Sequence, residues 1–272
     1  MERASTPFKP RLLAVLEGLA LFGLAVLLFS GLRHVQGIRA WEEQVLGVPF
    51  VEYLAVLLLS PAVLLLARRD FPSHGLSFRP LCYHLDIFAA AFLPVFLLSA
   101  ALSWIPWRQW PGAVWLSVVE VGLLALTARL LRGKPALGAA ILFPLLLAPL
   151  PAGDPVRALL RLGSAYLLVA PAEEALFRGC IQSRLNLAFG RPYYTWGIRW
   201  GWGLLITSAL FGLWHLALNP TAASAGPHAL WTFFAGLIFG AVREKSGSIA
   251  APALLHGVLN YGPQALLYDL FV

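Results

Sequence analysis

Apolar residues run along this chain in blocks nearly as long as a bilayer is thick, separated by short polar gaps. The blocks fall approximately at 12–32, 47–66, 85–105, 113–130, 136–151, 156–177, 201–218, 228–242 and 249–271. A helix needs roughly 20 apolar residues to cross a hydrocarbon core of about 30 Å, so the pattern predicts an all-α, polytopic transmembrane helical bundle with about 8–9 membrane segments. The fifth and eighth blocks are short, and either fits a half-helix that turns back under the cover of its neighbours. The first block follows Arg3, Lys9 and Arg11 and lacks a small-x-small cleavage site. It reads as a retained helix, not a removed signal.

Composition sharpens this picture. The 272 residues are 59% hydrophobic and only 12% charged, against roughly 25% charged in a soluble domain. The expectation is a single integral membrane domain over 1–272, with little room for a soluble one. A net charge of +7 would suit nucleic acid, but the basic residues sit in the gaps between apolar blocks, and no zinc-finger spacing or glycine-rich phosphate loop is present. They read instead as topology signals. The N-terminus and the gaps holding Arg68/Arg69/Arg79, Arg129/Arg132/Lys134, Arg184/Arg191/Arg199 and Arg243/Lys245 are basic, whereas the alternate gaps are weakly charged. With the basic side inside, the N-terminus faces the cytoplasm, as expected for a prokaryotic inner-membrane protein. Tryptophans gather near the proposed boundaries, at Trp104/Trp107/Trp110 and Trp196/Trp200/Trp202, where interfacial anchors belong. Cys82 and Cys180 are too few for a disulfide framework or a cysteine metal cluster.

The two halves differ in character. Residues 1–155 are mostly leucine, alanine and valine with isolated acids and are read as accessory helices; 156–272 carries patterned polar groups and is read as the catalytic core. Three clusters stand out there. In the stretch from Pro171 to Gly179, Glu173, Glu174 and Arg178 interrupt a strongly apolar run. Charges at membrane depth are costly and face a bundle interior, a water cavity or a partner. Glu174 and Arg178 are four apart and share a helical face, which leaves Glu173 unpaired and suited to general-base work. A salt-bridged helix end with a snorkelling arginine accounts for the same residues equally well. Phe211 and His215 likewise share a face, though a lone histidine is more often a packing residue. His256 and Asn260, again four apart, can aim two neutral donors at one spot, as a developing oxyanion requires; interhelical polar glue is the structural alternative. Together the clusters supply a base, a partner for its proton and an oxyanion clamp, nearly a full inventory for attacking an amide with water. No serine is placed for covalent catalysis, and Cys180 beside the acid pair is a weak candidate. A metal-dependent protease is a further alternative, since two histidines and two glutamates can hold zinc, but HExxH is absent.

These residues carry a resemblance. Glu173–Arg178 resembles the EExxxR motif of the CAAX protease and bacteriocin-processing family, intramembrane glutamic endopeptidases related to the CAAX prenyl endopeptidase. Phe211–His215 resembles its FxxxH motif and His256–Asn260 its HxxxN motif, so that the likeness covers about 156–262. The resemblance implies that Glu173 activates water with help from His215, and that His256 and Asn260 form the oxyanion hole. It further implies that Glu174 and Arg178 organise the site, with no cofactor and no catalytic metal. The substrates it implies are membrane-anchored, lipidated or hydrophobic-tailed peptides and proteins, met in the lipid bilayer, with no nucleic acid partner. Because some members have no known proteolytic activity, a catalytically silent scaffold or transport accessory stays open as the other class.

The block boundaries conflict with that site. A segment ending at Phe177 puts Glu173 near the cytoplasmic end, while His215 falls late in a helix running outward. Cooperation requires the glutamate helix to continue toward Phe189 or the His215 helix to start later than Gly201. Among the acids of the first half, Glu52 and Asp86 are placed to reach the headgroups, and Glu120, in mid-span, is a candidate for lining a substrate channel.

Overall fold

The computed structural model describes residues 8–46, 49–132, 155–195 and 197–261. The expected segment at 136–151 and the end of the last one lie outside the described residues. Leucine-, alanine- and valine-rich sequence with only isolated polar residues forms long helices: α1 (Phe8–Arg33), α3 (Val51–Leu66), α4 (Leu81–Trp104) and α5 (Trp110–Leu130). Between α1 and α3 the expected polar gap is itself helical, as α2 (Gln36–Trp41) and a π turn, Glu42–Leu46. A continuous helical run, α6, covers 155–189. It alternates α segments (Pro155–Gly163, Ala170–Glu174, Ser183–Phe189) with wider π segments (Ser164–Val169, Ala175–Gln182). A short antiparallel hairpin, β1 (Tyr193–Thr195) and β2 (Ile198–Trp200), pairs Tyr193 with Trp200. Helices α7 (Trp202–Leu218), α8 (Ala225–Ser246) and α9 (Ala250–Tyr261) complete the described bundle.

Four of these helices are long and apolar enough to cross a membrane: α1, α4, α5 and α8. A fifth crossing is formed if 36–46 and α3, bent by 107°, act as one broken span, and α7 is a shorter apolar helix. Leucines of α1 such as Leu12, Leu16, Leu19 and Leu27 are exposed, as a face turned to lipid requires. The chain is an all-α membrane bundle.

The main departure from the sequence expectation concerns α6, which does not stop at Phe177. The residues that follow are polar enough to look like a loop, but Arg178, Gln182, Ser183 and Asn186 are all buried. Each finds a partner across the bundle, so the polarity is internal and the helix continues. Gln182 and Asn186 donate to Glu244 of α8 at 2.7 and 2.5 Å, and Arg191 also pairs with it. Arg243 donates to the Ser183 hydroxyl at 3.0 Å. Glu17 of α1 accepts from Arg69 and Arg184, both at 2.6 Å.

Those contacts gather the start of α1 and the ends of α3, α6 and α8 at one end of the bundle, henceforth the basic end. The opposite end brings together Trp107, His228 and Trp231, whose rings lie 5.1–5.6 Å apart. Helices α7 and α8 approach closely because a glycine stands at their crossing: a Cβ on Gly212 would lie 2.5 Å from the Ala229 carbonyl oxygen. Small residues at such crossings let membrane helices pack by van der Waals contact.

Candidate active site

The site is built on the middle of α6. Pro171 opens the α segment Ala170–Glu174, placing Glu173 and Glu174 side by side, and the chain then widens into the π segment that carries Arg178. Single π turns inside helices occur often at functional sites. Despite the wider turn, Arg178 Nη1 lies 3.2 Å from Glu174 Oε1, and both side chains are essentially fully buried. Arg178 Nη2 donates to the Gly236 carbonyl of α8 at 3.1 Å, and the guanidinium lies 4.4 Å from the centroid of the Phe211 ring. Arg178 is thus paired, hydrogen-bonded and covered by an aromatic face, the conditions under which a buried cation is tolerated.

From α9, His256 reaches both acids. Its Nδ1 is 3.0 Å from Glu174 Oε1, and Nε2 lies 3.7 Å from Glu173 Oε2, too long for a hydrogen bond but close for a charge pair. The ring stacks on Phe239 at 4.9 Å, which fixes its plane. Glu174 Oε1 therefore meets both basic side chains, Arg178 as an ion pair and His256 through a hydrogen bond, and joins the cluster. Glu173 is held differently: Trp214 Nε1 of α7 donates to its Oε1 at 3.0 Å, and Tyr53 of α3 also interacts with it. His215, next along α7, directs Nδ1 to the Phe211 carbonyl at 2.9 Å. That bond turns Nε2 away from the backbone, and His228 of α8 lies 4.6 Å away, ring to ring.

A cavity of about 500 Å³ joins these groups. Glu173, Phe211, His215, His256 and Asn260 all line it, whereas Glu174 and Arg178 stand behind it. The conflict of depth in the sequence reading is resolved by the continuation of α6. With the helix ending at Phe189, Glu173 lies mid-run, level with the last third of α7 where His215 sits. Glu52 does not reach outward as expected. It is buried and lines the cavity together with Glu42, whose carboxylate accepts from the backbone N–H groups of Phe50 and Val51. Glu120 is fully buried beside the Ala235 backbone of α8 and is not among the residues that line the cavity. It is therefore not placed to line a substrate channel here.

Trp214, Tyr53 and His228 were not singled out from the sequence. Trp214 lies inside the Phe211–His215 motif, but an indole among apolar residues reads as packing until its N–H is seen to have an acceptor. Tyr53 and His228 come from helices distant in the chain, and nothing in their surroundings distinguishes them.

Residues 155–262 match the family model described as type II CAAX prenyl endopeptidase Rce1-like. Over that stretch, less than half of its length, the chain is similar to the CAAX protease family. The family indicates a peptidase, a CAAX-type intramembrane protease in general, and its matched region coincides with α6 to α9, the helices that converge on the cavity. With several helices apolar enough to span a bilayer, the protein is an integral membrane protein. No curated protein and no solved structure matches the chain. Among the described residues, no three His, Cys, Asp or Glu side chains are grouped closely enough to hold a metal ion.

Proposed function

We propose that this CAAX-type protease is a glutamic endopeptidase that hydrolyses a peptide bond with activated water and no catalytic metal. The observation that carries the reading is the convergence of Glu173, His215, His256 and Asn260, from three helices, on one buried cavity. In the proposed reaction Glu173 takes a proton from water as the oxygen attacks the scissile carbonyl carbon. The same proton then passes to the departing amine nitrogen as the C–N bond breaks. Trp214 holds the Glu173 carboxylate in one rotamer, and His215 orients the water through Nε2. His256 and the Asn260 amide donate to the oxyanion, the role in which preorganised donors contribute most. His256 can do so because Glu174 accepts from Nδ1. That contact fixes the ring with Nε2 on the Glu173 side, toward the cavity.

The proposed substrate is a membrane-associated peptide or protein, cut near its lipidated or hydrophobic anchor. Among the described residues no soluble platform stands above the cavity, and an anchored chain partitions into the bilayer first, which raises its concentration beside the site. The proposed setting is a prokaryotic inner membrane with the N-terminus in the cytoplasm. The test compares wild type and Glu173→Gln by mass spectrometry of new chain termini in membrane and secreted fractions. Termini beside hydrophobic or lipidated anchors should appear with wild type and fall by at least about 10²-fold in the variant, the scale of a lost general base. Equal cleavage by both removes Glu173 from the mechanism.

A further inference from the structure

Among the described residues, the cavity lining runs out to exposed side chains, Arg33, Arg39 and Asn219, at one end of the bundle, which is its mouth here. Around the mouth lie Arg33 at the end of α1, Glu42 and Glu52 before and within α3, Asn219 after α7 and His228 at the start of α8. These positions belong to the end of the bundle opposite the basic end. The direction is internally consistent. Trp110 of α5 contacts the Gly226 position of α8 there, and the late α4 residue Ser99 bonds the Leu259 carbonyl of α9 at 3.4 Å. Meanwhile Arg11 lies over Phe189, and Tyr83 donates to the Lys245 carbonyl at 3.0 Å, both at the basic end.

The two ends differ in charge. The basic end collects Arg68, Arg69 and Arg79 after α3, Arg129 and Arg132 at the end of α5, Arg184, Arg191 and Arg199 around the end of α6 and the hairpin, and Arg243 and Lys245 in the last turn of α8. Among the described residues, the mouth end carries fewer basic side chains, Arg33, Arg39, Arg108 and Arg161, beside Glu42 and Glu52. Lysine and arginine bias in short loops sets orientation, with the richer side cytoplasmic.

We propose that the cavity opens on the extracytoplasmic face, so that its substrate is an exported or membrane-spanning polypeptide cut on its outward flank. A lipidated tail held in the cytoplasmic leaflet cannot deliver its scissile bond to this mouth without crossing the bilayer. A leader or sorting tail whose junction with its anchor has already been translocated meets the mouth directly. The water consumed enters from the same side, along the polar rim that Glu42, Glu52 and Asn219 supply. What enters the cavity rests on the protease reading above; where the cavity opens does not.

The test is therefore one of orientation, independent of cleavage. Thr221 is exposed in the turn next to Asn219, and Cys82 is exposed at the basic end. The full-length Cys82→Ser/Thr221→Cys protein is expressed in a bacterial inner membrane, and spheroplasts are treated with a membrane-impermeant maleimide before or after permeabilisation. Labelling of the Thr221→Cys protein in intact spheroplasts is expected, with the wild-type Cys82 thiol showing none until the membrane is opened. Labelling at position 221 only after permeabilisation overturns the proposal, as does labelling in neither state or equal labelling of both proteins in intact spheroplasts. Since the readout needs no turnover, a protein that cleaves nothing still reports its orientation, and an active one that labels the wrong way refutes only the side of access.

Discussion

Arg178 offers the most direct test of whether the buried charge cluster is built as the structure has it. The perturbation is Arg178→Met, which keeps an unbranched side chain of similar reach and removes the charge. In the native protein the guanidinium makes two polar contacts, to Glu174 Oε1 at 3.2 Å and to the Gly236 carbonyl at 3.1 Å, and is fully buried. Its loss leaves Glu174 without its ion-pair partner and the Gly236 carbonyl without its side-chain donor. Removing one partner of a buried ion pair costs about 3–5 kcal/mol, because the other charge is left uncompensated. Glu174→Gln should cost a similar amount by stranding Arg178. The double variant removes both charges, and replacing a whole buried pair with neutral side chains is often nearly neutral. Expected, then, is a double variant less destabilised than the sum of the singles by at least about 2 kcal/mol, a coupling in the range measured for side chains that share a network.

The assay is unfolding of the purified protein in detergent, followed through tryptophan fluorescence. At roughly 2–4 °C of midpoint per kcal/mol for a chain of this order of size, each single variant should unfold about 6–20 °C below wild type. An arginine that only snorkels to headgroups would behave otherwise, since exposed pairs contribute about 0–1 kcal/mol. Single variants within about 1 kcal/mol of wild type, with additive effects in the double, would refute the buried triad of Glu174, Arg178 and His256.

Two further expectations concern groups that the sequence did not advertise. Trp214→Phe keeps the ring that packs edge-on against Phe29 and Phe177 but removes the N–H that donates to Glu173 Oε1. A hydrogen bond to a charged group contributes about 1.5–3 kcal/mol, so kcat/KM on any peptide that wild type cleaves should fall about 10- to 150-fold with little change in unfolding midpoint; an unchanged kcat/KM would remove Trp214 from the site. Gly212→Val should weaken the crossing of α7 and α8, because its Cβ would meet the Ala229 carbonyl oxygen at 2.5 Å and force the helices apart. The expected loss is about 1–3 kcal/mol of stability, the usual cost of overpacking, read as a lowered midpoint in the same unfolding assay, and a midpoint equal to wild type would show that the helices are not in contact there.

The candidate site was legible because its residue types are expensive in an apolar helix. Two acids and an arginine in a run like that of Pro171–Gly179 need a reason, and the spacing of four in Glu174–Arg178, Phe211–His215 and His256–Asn260 proposes one by putting each pair on one face. What the sequence hid was depth. The polar run after Phe177 has the composition of a loop, and only the acceptors and donors on α8 reveal that Arg178, Gln182, Ser183 and Asn186 point inward. A polar residue in a membrane protein thus carries two opposite meanings, and hydropathy cannot separate them: it marks the exit to water, or it marks an interior seam. Here the distinction moves the end of α6 from Phe177 to Phe189 and Glu173 from the membrane edge to the level of His215. Glu52 shows the same ambiguity from the other side. Its position near the start of α3 suggested a headgroup contact, whereas the helical turn formed by 36–46 covers it and makes it part of the cavity wall. In both places the deciding information lies in a neighbouring helix, so no reading of one segment at a time could have supplied it.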